Sequence, residues 1–541
     1  MALFLHKPPL RPEWMELLVG LAAGALLLLF LARRDNPGRL LRRWARRRVL
    51  WIVVFAFLGP GIRLALLPWA PMPHPTVHDE FVHLLVADTL MHARLANPPH
   101  PFSGFFETIY VIQRPAYSGS YPPGVGAFLA AGWVLTGQPW LGVWMAMVLC
   151  CGAVAWMQYR WLPPLAAWIG GLLCSLSLGI SSYWMNSYFG GAVAAAGGAL
   201  ALGALPALLS AAHLQYACIL ALGWSLVWFT RPYESIVLGL LIGAVILGSL
   251  WRLRGQARGR RLGAAAIVVA GFIALDVAGM SYFNWRVTGD PLLSPYRLTQ
   301  REYGVPHAFI WQEEIPEPAG LTPQQHRVYL FQRDNFRSAH SLTACWPQMG
   351  RSLKAVWAFY VGYPLTIPLV IGLFARGRKM RTLRLFLGAG IGWSLLYPLI
   401  QTQYLAPLTC VFFALASYGL LRIGRRRAWG AALAAGLVIA SASAGSRALY
   451  SDPPKPRAEV ARGLDAASGL HLVFVRYGPM HNAHDEWVYN RADIDHAKVI
   501  WANDLGRERN RQLIRYLGGR EVWLAEPDGA PLLQRYPDSG Q

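Results

Sequence analysis

Long apolar stretches, separated by short arginine-rich ones, set the pattern of the chain. Residues 17–31, 49–69 and 262–283 carry few charges, and about 17 to 25 apolar residues are enough to cross a bilayer core as a helix. The same pattern predicts about twelve spans, near 14–32, 49–69, 140–157, 163–182, 190–210, 216–230, 234–251, 262–283, 353–374, 383–400, 404–421 and 428–446. PPGVGAFLAAGWVLTG, 122–137, is short for a crossing and predicts a helix lying against the interface. After residue 446 the pattern changes. LHLVFVRY and KVIWAND read as buried strands, RERNRQLIRYL as an amphipathic helix and REVWLAEPD as a closing strand. The turn-rich SDPPKPR, 451–457, sets this part off from the membrane region. The expected fold is an α-helical polytopic membrane protein with a small C-terminal α/β domain. Its parts are 1–48 (one span and a basic loop), 49–446 (the main transmembrane region) and 447–541.

Charge orients this scheme. The chain has 541 residues, 55% hydrophobic and only 14% charged, with a net charge of +22. The arginines cluster at 33–48, 252–261, 376–381 and 422–427, between predicted spans, and such loops mark the cytoplasmic side. That threading leaves 70–139, 284–351 and 447–541 on the exterior. No basic stripe interleaved with aromatics appears, which argues against nucleic acid as a partner. The first apolar run is followed, not preceded, by its positive charges and so reads as a retained span rather than a signal peptide. Of the six cysteines, only Cys345 lies outside an apolar segment, and their spacing suggests neither a disulfide framework nor a zinc site. Arg63 and Asp276, both within predicted spans, suggest a structural pair. The two halves show no repeat, which weakens an inverted-repeat transporter.

Candidate chemistry concentrates in HPTVHDEFVHLLVADTLMHARLANPPHP, 74–101. With Thr76 as N-cap, His78, Asp79 and Glu80 fall in the first turn of a helix. Acidic residues there favour the positive end of the helix dipole, and that reading stands beside a functional one. HDEFVH lacks the HExxH spacing that aligns two histidines around zinc. A divalent cation beside the acidic pair is the one cofactor the residues leave open. Glu107 adds a further exterior carboxylate. SSYWMNSYFGG, 181–191, suggests a short exterior link in which Tyr183, Asn186 and Tyr188 line a pocket or form an interfacial aromatic hairpin.

An Asp-Glu pair in the first large exterior loop, after an inward-to-outward span, resembles the GT-C superfamily of glycosyltransferases, and within it the protein O-mannosyltransferase and aminoarabinose-transferase group. Arg114-Pro115 and Tyr121-Pro122-Pro123 are similar to that group's Pro-Pro segment, and Gln403-Tyr404-Leu405-Ala406-Pro407 to its RYLLP-like segment. Gln403 stands where that group often has a basic residue. The likeness covers roughly 50–446; the 447–541 domain is not part of the core pattern.

The resemblance implies an inverting membrane glycosyltransferase that moves a sugar from a polyprenyl-phosphate donor to an acceptor hydroxyl on a protein, lipid or glycan. It implies Asp79 as general base and Glu80 as orienting the acceptor or a cation. Departing phosphate needs positive partners, for which Arg114 and Arg231 are the candidates, with Gln403 and Tyr404 beside them; Arg231 also suits an interfacial arginine reaching headgroups. His78, Glu107, Tyr121, Asn186 and Tyr188 are the expected pocket residues. The implied location is the bacterial inner membrane, with the site on the periplasmic side. The alternative is a multi-span secondary transporter with a soluble exterior domain; such a protein would place its ionisable groups near the midplane.

Overall fold

The computed structural model describes residues 42–424, 436–437 and 456–537. The span expected at 14–32, and nearly all of that at 428–446, fall outside the described residues. The chain runs through α1 (Arg48–Ala65) into a long connection. That connection carries α2 (His78–Met91), the hairpin of β1 (Val111–Ile112) and β2 (Ser118–Gly119), and α3 (Pro123–Thr136). A helical bundle follows, formed by α4 (Trp140–Trp161), α5 (Pro164–Gly179), α6 (Ala192–Ala211), α7 (Leu214–Trp228), α8 (Pro232–Arg252) and α9 (Ala257–Thr288). Short helices α10 (Pro295–Glu302) and α11 (Pro323–His340) occupy the second polar stretch. Then come α12 (Cys345–Tyr360), α13 (Gly362–Leu373), α14 (Arg378–Ser394), a 3-10 segment at Thr402–Leu408 and α15 (Thr409–Gly424).

Each expected span within the described residues coincides with a helix or helix pair. Six of them are long and apolar enough to cross a membrane: α1, α4, α6, α8, α9 and the run Thr402–Gly424. α5 and α7 are apolar but shorter. The span expected at 353–374 is not one straight helix. α12 and α13 meet at 93°, where Gly362 takes a positive φ of 59° and Pro364 follows two residues later. Val53, Phe57, Leu240, Leu247, Ile267 and Leu275 are exposed on the outer surface of the bundle. Water would not tolerate so broad an apolar surface, but lipid matches it. The chain is an integral membrane protein.

Small residues let the bundle close. A Cβ at Gly132 in α3 would lie 2.0 Å from the Gly142 nitrogen of α4. One at Gly198 in α6 would lie 1.9 Å from the Pro407 carbonyl oxygen, so the 3-10 segment sits directly on the α6 backbone. Basic residues gather at one end of the bundle. Tyr159 at the end of α4 donates to the Ala45 carbonyl at 3.0 Å, Lys379 donates to the Arg160 carbonyl at 3.1 Å, and Arg258 donates to the Leu209 carbonyl. α2 and its connection leave from the opposite end of α1.

The C-terminal unit contains α16 (Pro456–Ala466), β3 (His471–Val475), β4 (Val499–Asn503), α17 (Arg507–Leu517), β5 (Glu521–Ala525) and β6 (Leu533–Arg535). The sheet order is β4-β3-β5-β6, with β3 parallel to both β4 and β5, and β6 antiparallel at the edge. α17 makes the crossover that two parallel strands require. α16 and β6 are additions to what the hydrophobic pattern predicts. Leu472, Phe474, Ile500 and Val522 share one core with Phe81, Val82, Phe105 and Phe106 of the connection after α1. The sheet rests on the 3-10 segment Ser103–Phe106, where Phe474 packs on Phe105 at 6.2 Å and Asn503 donates to the Phe105 carbonyl at 3.2 Å.

Candidate active site

α2 starts from an extended Val77. The cap is made by Glu80 reaching back, not by Thr76 reaching forward. Its Oε2 accepts from the Thr76 and Val77 nitrogens at 2.7 and 3.1 Å and from the Thr76 hydroxyl at 3.2 Å, while Oε1 accepts from the Tyr188 nitrogen at 3.0 Å. Burial pushes the Glu80 carboxyl up and these four donors pull it back. With 3% exposure, both oxygens are committed to the frame.

Asp79 has a different fate. Its side chain is 23% exposed, and its Oδ1 accepts from the Tyr121 hydroxyl. His78 Nε2 lies 3.7 Å from Oδ2. The His83 ring tilts against Tyr121 at 5.0 Å. Burial depresses both histidines, His83 to about 4, against the opposing pull of Asp79. Among the described residues, the Nδ1 atoms of His78 and His83 are buried without a hydrogen-bond partner. Tyr110 and Tyr296 complete the wall, their rings 5.6 and 6.4 Å from that of Tyr121.

A cation lies close to this wall. Arg231 precedes α8, with its guanidinium 5.3 Å over the Tyr404 ring. No hydrogen bond ties that guanidinium down among the described residues. His83 lies within electrostatic reach of both charges, Asp79 raising its pKa and Arg231 lowering it. Tyr397 packs against Tyr404 at 4.8 Å and donates to Glu234 at 3.4 Å. The Tyr183 hydroxyl pairs with that of Thr402 at 2.7 Å and donates to Gln403 Oε1 at 3.0 Å. From Glu234 and Tyr404 a narrow apolar groove runs between α8 and α14, lined by Leu238, Leu241, Phe386 and Leu408.

Of the residues singled out from sequence, His78, Asp79, Tyr121, Arg231 and Tyr404 come together, with Gln403 buried behind Tyr183. Others serve elsewhere. Arg114 is exposed and its Nε reaches Ser103 at 3.4 Å, so the hairpin carries it away from the cleft. Asn186 accepts from Arg63 at 2.7 Å and donates to the Ile180 and Ser182 carbonyls. Tyr188 donates to the Pro73 carbonyl at 2.9 Å. Glu107 accepts from Tyr303 at 3.0 Å and Gln325 at 3.3 Å, tying α10 and α11 to the first connection. The expected Arg63–Asp276 pair does not form. Arg63 donates to Asn186 and to the Ala70 and Pro71 carbonyls, whereas Asp276 accepts from Ser225.

Tyr110, Tyr296, Tyr397 and Glu234 were not foreseen. Only Glu234 left a trace, as an acid in the first turn of a span beside an arginine. Among the described residues, no group of three His, Cys, Asp or Glu side chains forms a metal set.

No protein-family model and no curated protein matches the chain. Solved structures do. The apo oligosaccharyltransferase of Archaeoglobus fulgidus aligns over 88% of this chain and 69% of its own, with a TM-score of 0.50 and 12% identity. ArnT from Cupriavidus metallidurans covers 88% of this chain and 93% of its own at a TM-score of 0.48 and 12% identity. Arabinosyltransferase EmbB from Mycobacterium smegmatis covers 75% and 34% at 0.41 and 13% identity. The chain thus shares its overall fold with the Archaeoglobus fulgidus oligosaccharyltransferase.

Proposed function

We propose that this protein transfers a sugar from a polyprenyl-phosphate donor to an acceptor hydroxyl, with Asp79 as general base. The observation that carries the reading is a reachable carboxylate, Asp79, and the Arg231 guanidinium, which rests over Tyr404 at the edge of an apolar groove, both within electrostatic reach of His83. An oligosaccharyltransferase sharing the fold supports the reaction class. In the proposed step the acceptor oxygen attacks the anomeric carbon as its proton passes to Asp79. The bond from that carbon to the phosphate oxygen breaks on the opposite face, so configuration inverts and no covalent enzyme intermediate forms. Polyprenyl phosphate leaves with one more negative charge, which Arg231 meets; Arg114 is exposed and engaged with Ser103 instead. Tyr121 holds Asp79 on the attack side, and the tyrosine wall presents faces and hydroxyls to the sugar.

The basic helix ends lie at the end of the bundle away from Asp79, and basic ends favour the cytoplasm, which supports a non-cytoplasmic side for Asp79. A bacterial inner membrane, with the cleft open to the periplasm, suits these features. Purified protein in vesicles, given a panel of radiolabelled polyprenyl-phosphate sugars and a membrane extract as acceptor source, is expected to move label from at least one of them. Failure to consume any member, with folding verified, would remove the proposal.

A further inference from the structure

α2 carries more than the proposed base. At 3.6 residues per turn, Asp88 projects from the side of the helix opposite Asp79. Its carboxylate is 2% exposed and accepts from Arg491 twice, Nε to Oδ2 at 2.9 Å and Nη2 to Oδ1 at 2.8 Å, and from the Ala492 nitrogen at 2.7 Å. The Arg491 guanidinium also lies 4.5 Å over Trp133 of α3. Two further grips come from the same unit. Tyr489 stacks on Phe81 at 4.6 Å with 8° between the planes, and Arg457 lies 4.4 Å from that Phe81 ring. The His484 ring stacks on His78 at 5.1 Å, beside Asp79 itself. Thus residues distant in sequence, 457 and 484–492, hold α2 at its start, its first turn and its third.

We infer that the C-terminal unit is a positioning element of the active site, with Arg491 its positioning residue acting through Asp88. A two-point guanidinium–carboxylate contact fixes rotation as well as distance. Rotation of α2 sets where Asp79 stands relative to Arg231, which is anchored on a different helix. Removing Arg491 leaves a buried carboxylate without its ion-pair partner, and α2 must turn or shift to hydrate it. This inference rests on Asp79 being the base.

The test uses the full chain in vesicles. Because a displacement of about 1 Å at a reacting group can cost on the order of 100-fold, kcat of Arg491→Ala should fall by about that factor. The KM for donor should stay put, since Arg231 and Tyr404 are untouched. Arg491→Lys keeps the charge but loses the fork and should recover part of the rate. Hydrogen exchange of the 78–91 amides should speed up in Arg491→Ala while 471–475 stay protected, and this readout needs no substrate. Wild-type kcat, or unaltered exchange in α2, overturns the inference. If Arg491→Ala does not fold, Asp88→Asn and Arg491→Lys carry the same two readouts. Asp79→Asn in parallel separates the causes: activity in that variant would fault the base assignment, whereas an inactive Asp79→Asn beside a normal Arg491→Ala would fault only the positioning role.

Discussion

Asp79 and Glu80 are neighbours of nearly the same chemistry, yet amide substitution should affect them in opposite ways. Asp79→Asn retains an oxygen for the Tyr121 hydroxyl, so its cost in stability should stay within about 1 kcal/mol. It removes the proton acceptor, and general base catalysis typically supplies about 10²- to 10⁴-fold, or about 3–5 kcal/mol of barrier. Glu80→Gln meets a different test. Three donors converge on Oε2 and one, the Tyr188 nitrogen, on Oε1. One amide oxygen can serve one of these sites, and the NH₂ then faces a backbone N–H. A hydrogen bond to a charged group is worth about 1.5–3 kcal/mol, and a stranded buried donor costs about 1–3 kcal/mol. Relief of the buried charge offsets part of this, because desolvation already works against the Glu80 carboxylate. A net loss of about 2 kcal/mol follows. Turnover and thermal unfolding of the two purified variants are the assay. Asp79→Asn should be inactive with a wild-type midpoint, and Glu80→Gln should melt earlier while retaining most of its turnover per folded molecule. The reverse pattern would refute the division of roles.

Arg231→Ala should raise the KM for lipid-phosphate donor by about 10- to 100-fold, the worth of a charge-assisted contact, whereas Arg114→Ala should leave it near wild type; donor titration of each variant checks both. His83, held near 4 in the folded protein against an ordinary 6.5, makes stability pH-dependent. The unfolded chain binds the extra proton, so this stability is fully present above pH 6.5 and is lost as pH falls towards 4. His83→Phe keeps a ring against Tyr121 and should lose less of its unfolding midpoint between pH 7 and pH 4.5 than the wild type; an identical loss would contradict the assignment. Arg457 lies 4.8 Å over Trp501 as well as against Phe81, and donates to the Trp487 and Tyr489 carbonyls at 2.9 and 3.3 Å. Arg457→Ala should cost about 3 kcal/mol or more, seen as faster proteolysis within α16.

Much of this fold is legible in the sequence because lipid demands continuous apolar helices and sheets demand short buried runs. The strand segments LHLVFVRY, KVIWAND and REVWLAEPD and the helix RERNRQLIRYL stand where the pattern puts them. Local pattern does not show how far-apart segments meet. Arg114 looks closer to the pocket than Arg231 along the chain, but the β1–β2 hairpin turns it outward, while α7 and α8 bring Arg231 back from more than a hundred residues away. Tyr110, Tyr296 and Tyr397 carry no local mark of function, since each becomes a wall residue only once three separate connections converge. The 93° break between α12 and α13 was hidden for a related reason: a span is recognised by its average apolarity, and a single positive-φ glycine barely alters that average.

The acidic pair itself shows why a structural and a functional reading of one motif need not compete. A helix start leaves backbone N–H groups without partners, and an acid a few residues in can fold back to meet them. Glu80 does so, and through the Tyr188 nitrogen it also fastens the 181–191 link to the same turn. That link holds Tyr183 against Thr402 and Gln403, next to Tyr404 and Arg231. The capping residue therefore ties the helix of the proposed base to the segment that would hold the donor phosphate. Asp79, about 100° around the helix from Glu80, takes no part in the cap and meets instead the Tyr121 hydroxyl, with His78 Nε2 3.7 Å away. The dipole reading describes Glu80, the catalytic proposal describes Asp79, and the second depends on the first.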